Sequence, residues 1–124
     1  LQAVLVPRLG AAGLRGLSVY GARTALTAAP EIAQVNTHVD IVAWRSGRGF
    51  VGEEQALGFA VRHLAARRCG AVDAGEPTGW LTHHACHDEA AWTFLARLFD
   101  VTRRAPGVRW RRADDLFKIA SARR

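Results

Sequence analysis

Apolar residues recur at helical spacing along three stretches of the chain. Over residues 53–68, Leu57, Ala60, Val61 and Leu64 form one stripe, Glu53 and Glu54 open the first turn, and Gly70 supplies a stop. His63 lies beside that stripe and reads as structural. Over residues 88–104, Trp92, Leu95, Leu98 and Phe99 share a face, and Trp92, Leu95 and Phe99 are expected to be buried. Asp88 suits the N-cap of this helix, and Pro106-Gly107 ends it. A short third helix is expected over 114–120, with Leu116, Ile119 and Ala120 inward.

Residues 34–42 give the clearest strand. Val35, Thr37, Val39 and Ile41 alternate with Asn36, His38, Asp40 and Val42, so one face is apolar and the other presents an amide, an imidazole and a carboxylate in a row. Shorter strands are expected over 3–6, stopped by Pro7, over 17–20, closed by Gly21, over 80–85 and over 108–110. Residues 8–15 read as a glycine-containing link with room for one helical turn, and residues 22–32 and 46–49 as loops. Strand and helix alternate through the second half, which predicts a parallel βαβ arrangement and an α/β fold in a single domain of 124 residues.

A net charge of +6 raises the question of a nucleic-acid partner. Lys118 is the only lysine, and Arg67-Arg68 and Arg103-Arg104 fall at predicted helix C-termini, where cations offset the helix dipole. No aromatic residues interleave with them as a single-strand groove requires, so a basic nucleic-acid module ranks last among the readings. No apolar run reaches the length of a membrane span, no signal peptide is visible, and a cytoplasmic location is favoured. The chain lacks methionine, and we expect it to be an excerpt of a longer product. Cys69 and Cys86 make no zinc-ribbon spacing and are expected to be reduced and buried, a disulfide between them being the alternative.

Three of the five histidines, His83, His84 and His87, follow the strand at Trp80, where strand ends in α/β proteins gather catalytic groups. His83 and His87 are four apart, but His84 stands where a helical zinc-protease motif needs glutamate, and the segment reads as strand and turn. Neighbours on a strand point to opposite faces, so only one of His83 and His84 faces a given site. The preferred constellation is Asp40 with His83, His84 being the rival. A carboxylate beside an imidazole orients it and favours its charged form, which can protonate a leaving group. A plain core hydrogen bond is the alternative.

Two motifs carry a resemblance. Pro77-Thr78-Gly79-Trp80-Leu81-Thr82-His83-His84, followed by His87-Asp88, and Asp40-Ile41-Val42-Ala43-Trp44 resemble the late motifs of the polysaccharide deacetylase family, the NodB-homology group. The resemblance runs from Gln34 onward. In the family's Asp-x-x-Asp-Trp motif the second Asp is here Ala43. The resemblance implies the C-terminal part of a distorted (β/α) barrel, a carbohydrate substrate and hydrolysis of its acetyl groups. His83 or His84 would be the acid, Asp40 its tuning carboxylate, and Trp44 a wall of the substrate groove; Asn36 and His38, on the same strand face as Asp40, are read as further substrate-binding groups. It also implies a divalent metal such as zinc, whose ligands this chain lacks. Before Gln34 neither the family's Asp pair nor its His-x-x-x-His is present, and Val6-Pro7-Arg8 is the most that survives of its middle motif. The expectation is a deacetylase-like hydrolase, inactive as this chain; the alternative is a non-catalytic carbohydrate-binding remnant of the same fold.

Overall fold

A computed structural model of the chain describes residues 5–23 and 32–122. The strand expected over 3–6 and the loop over 22–32 therefore lie largely outside the described residues. Val6 belongs instead to a short helix, α1 (Val6–Ala11), with Pro7 in its first turn. A proline with no amide to donate fits a helix start as well as a strand end, and here the first wins. Val6 is buried with Ile32 in a small cluster that Leu9 and Leu17 cover.

The described strands are short. β1 (Gly16–Leu17) pairs in parallel with β2 (Ala33–Gln34), and β3 (Val39–Asp40) pairs in parallel with β4 (Trp80–Leu81). The single strand expected over 34–42 is thus divided, and its pairing shows why. The amides of Ala33, Val35 and Thr37 donate to the carbonyls of Arg15, Leu17 and Val19. His38 and Val39 then both donate to one carbonyl, that of Gly79, at 2.7 and 3.1 Å. Two successive amides on one acceptor break the ladder as a bulge does, and the chain changes partner from β1 to β4. The described residues are α/β and form two separate strand pairs, not a closed barrel.

α2 (Glu53–Arg68) joins β3 to β4, giving the parallel βαβ unit that the alternation of elements predicts. α3 (Glu89–Thr102) follows β4, and α4 (Ala113–Ala122) closes the order against β2. Val39, Ile41, Ala56, Ala60, Ala91, Phe94 and Leu95 form the main core, with Phe50, Phe59, Trp80 and Leu98 packed around it.

The helices present different faces from those expected. On α2, Ala56, Ala60 and His63 are buried, whereas Leu57, Val61 and Leu64 are exposed. Alanines let a helix approach a strand closely, and the larger stripe next to them turns outward. On α3, Leu95 is buried as expected, with Ala91 and Phe94, but Trp92 and Phe99 are half exposed. Phe99 instead packs on Trp110, ring centroids 4.4 Å apart, and Trp110 donates its indole N–H to Thr102. That arrangement replaces the strand expected over 108–110. Ile119 of α4 is exposed, and Leu116 and Ala120 are half-buried. Both cysteines are free thiols, Cys69 on the surface and Cys86 half-buried. No described helix is long and apolar enough to cross a membrane.

These faces are measurable by chemical denaturation. Val61→Ala should change stability by no more than about 0.5 kcal/mol, as surface substitutions do. Ala60→Leu, forced between α2 and β3, should cost about 1–3 kcal/mol. The reverse ranking would return the Leu57–Val61–Leu64 stripe to the core.

Candidate functional site

Asp40 and Leu81 are register partners at the ends of β3 and β4. His83, two residues on, turns its imidazole back, and Nε2 lies 3.4 Å from Asp40 Oδ2. A carboxylate only accepts, so this nitrogen carries the proton. Nδ1 of His83 makes no hydrogen bond to any described residue and is left for chemistry. Asp40 is fixed independently. Its Oδ1 accepts the amide of Val42 at 3.0 Å, and its Oδ2 accepts the indole N–H of Trp44 at 2.9 Å. The first is the local side-chain turn that aspartate favours. The chain then loops through Gly47 and Arg48, both at positive φ, and returns at Phe50 to bridge Val42. This loop sets Trp44 edge-on to His83, centroids 4.8 Å apart, with the indole 47% exposed. Asp40 and His83 are both half-buried.

After His83 a single 3-10 turn (His84–Cys86) leads toward α3. His84 is exposed there and forms no side-chain bond. His87 Nε2 accepts the amide of His83 at 3.0 Å, which anchors the backbone beneath the imidazole. Burial, then the neighbouring His84 and His83, push the His87 pKa down, against the pull of Asp88 and Asp40. A neutral ring is what that bond requires. Asp88 caps α3 by accepting Ala91 N–H at 2.8 Å, and it also accepts Phe50 N–H at 3.0 Å, so one carboxylate ties the Trp44 loop to the helix. Those amide bonds hold its pKa below the usual range.

Two expected substrate-binding residues are elsewhere. Asn36 is buried, accepts from Val19 N and Gln34 Nε2, and donates to Gly21 O. His38 is buried against α2, its ring stacked on His63 with centroids 3.5 Å apart. Of the six site residues read from the sequence, Asp40, His83 and Trp44 come together; Asn36, His38 and His84 do not join them.

His38 belongs to a second polar cluster that sequence reasoning missed. Its Nε2 lies 3.6 Å from Glu76 Oε1, and Gly79 N–H donates to its Nδ1 at 3.0 Å. Glu76 is 1% exposed and accepts Arg23 N–H on both oxygens. His63 Nδ1 lies 2.9 Å from Thr78 Oγ1. Burial first, then His63 and Arg67, lower the His38 pKa to about 4. Burial lowers that of His63 as well, helped by Arg67 and opposed by Glu76. In the sequence Glu76 stands in a turn-forming stretch and His63 beside a leucine stripe, and neither position signals a buried partner.

The metal that the resemblance implies finds no donor set around Asp40 and His83. Among the described residues no third potential ligand completes a set with Asp40 and His83, and His87 Nε2 is taken by the His83 amide. Among the described residues the only cluster of three potential metal ligands is His38, His63 and Glu76. No family model, curated protein or solved structure matches this chain. What the site can do is therefore read from its own chemistry: an oriented imidazole with one open nitrogen, beside an exposed aromatic face.

Proposed function

We propose that this chain carries the acid–base part of a carbohydrate-deacetylating site of the polysaccharide deacetylase kind, on part of a distorted (β/α) barrel, and that alone it releases no acetate. The observation behind this reading is the Asp40–His83 pair with His83 Nδ1 open. Asp40 holds Nε2–H, and the charged imidazole donates from Nδ1 to the departing amine or alkoxide as the acetyl bond breaks. Trp44 offers a flat apolar wall for a sugar ring. Among the described residues no ligand set for a carbonyl-polarising metal stands beside the Asp40–His83 pair.

A non-catalytic sugar-binding role on the same surface is the second reading, favoured by the exposure of Trp44. Oligomers of N-acetylglucosamine should quench tryptophan fluorescence, and Trp44→Ala should abolish the saturable part. Acetate should stay at background with or without zinc or cobalt. Fused to a segment bearing the missing Asp pair and histidine pair, the chain should release acetate, and His83→Ala should lower kcat about 10²–10⁴-fold. Binding without turnover in that fusion would leave the second reading. No binding in either form would remove both.

A further inference from the structure

We propose that His38, His63 and Glu76 form a buried site for one divalent transition-metal ion of the zinc class, separate from the Asp40–His83 pair. Two imidazoles and one carboxylate are a donor set that zinc uses while keeping a further position for water. Magnesium and calcium want all-oxygen shells, so the mixed set selects against them. The three ligand atoms lie within 4.8 Å of one another, and all three residues are buried. Nε2 of His38 and Nε2 of His63 are both buried without a hydrogen-bond partner. Buried polar atoms are rarely left so, and two of them beside a fully buried carboxylate point to something that bridges all three.

The surroundings hold the donors in place, as outer-shell groups do around metals. Arg23 N–H fixes the Glu76 carboxylate, and the Arg23–Asp73 ion pair fixes the loop that carries it. Thr78 Oγ1 meets His63 Nδ1 and also accepts from Arg67. His38 sets the chemistry of loading. Gly79 N–H donates to its Nδ1, so the neutral ring keeps its proton on Nε2, facing Glu76. The ion replaces that proton, which leaves to solvent. Affinity therefore rises with pH, and the Glu76 carboxylate balances part of the dication's charge in a dry site. The two rings now stack within 19° of parallel, and one of them tilts to share the ion. The site joins the entry to β3, the C-terminal half of α2 and the loop before β4. Its burial leaves no room for a sugar, so its role is to stabilise the fold.

Cobalt titrated into chelator-treated chain should give a visible ligand-field band that saturates at one equivalent and is displaced by zinc, and zinc should raise Tm. Glu76→Gln and His63→Gln should each lose the band and the Tm shift, whereas His84→Ala and His87→Ala should keep both. Circular dichroism of the metal-free variants checks their folding, and two independent ligand variants guard against one failing to fold. A wild-type chain with no band and no zinc-dependent Tm shift overturns the proposal. So does a band that survives Glu76→Gln and His63→Gln but vanishes in His84→Ala, which would assign the ion to the surface histidines.

Discussion

Gly79→Ala is expected to be the most damaging single substitution in the chain, costing at least about 3 kcal/mol, the upper end for forced overpacking. A Cβ at Gly79 would lie 2.2 Å from Asn36 O and 2.8 Å from Thr37 Cα. Both are backbone atoms of the segment between β2 and β3, so no rotamer change relieves the contact. The carbonyl of the same residue accepts from His38 and Val39, and its amide donates to the His38 ring. Separating the strands by an ångström or more gives up all three bonds. His83 follows β4 by two residues, so the move also draws the imidazole from Asp40. Urea denaturation of the variant, with the His83 ring protons followed by NMR, tests both consequences. A midpoint within about 1 kcal/mol of wild type would mean that the strands are not in the contact described.

Much of this fold is legible in the sequence, for identifiable reasons. Glu53–Arg68 is bounded by an acidic first turn and by Gly70 at positive φ, and the helix falls on those residues. Asp88 caps α3 through Ala91, as its position before an apolar helix implies. Asp40 and His83 meet because each lies at or just past the end of a parallel strand, and parallel register brings such ends together. The helix faces were legible only in part: Ala60 and Leu95 are buried as read, but Leu57, Val61, Leu64, Trp92 and Phe99 are exposed. Leucine and valine dominate the periodicity of α2, whereas the helix docks through Ala56, Ala60 and His63. The change of partner at His38 was invisible for a related reason. It depends on the closeness of Gly79 to Asn36 and Thr37, which no periodicity of the strand itself encodes. Alternation places His38 beside Asp40; the doubled hydrogen bond to Gly79 leaves it instead against His63 and Glu76.

That displacement predicts acid sensitivity in the metal-free chain. His38 titrates near 4 in the folded state against an ordinary 6.5, because burial, His63 and Arg67 disfavour its charged form. Glu76, facing its Nε2, is the one acidic group in the cluster. With the folded value depressed, the unfolded chain takes up the proton first as the pH falls. The contribution is fully present above pH 6.5, drains away between 6.5 and about 4, and is gone below that. Over the full window it amounts to about 3 kcal/mol. His63, shifted in the same direction, adds to the loss. Urea melts in chelator at pH 7.5 and pH 5, above the range where most carboxylates titrate, should show the wild type losing about 2 kcal/mol from His38. His38→Gln should start less stable at pH 7.5, because the ring stack and the Gly79 bond are gone, and should lose correspondingly less on acidification. Equal losses in the two proteins would show that His38 is not held neutral by its surroundings, and would take the buried cluster with it.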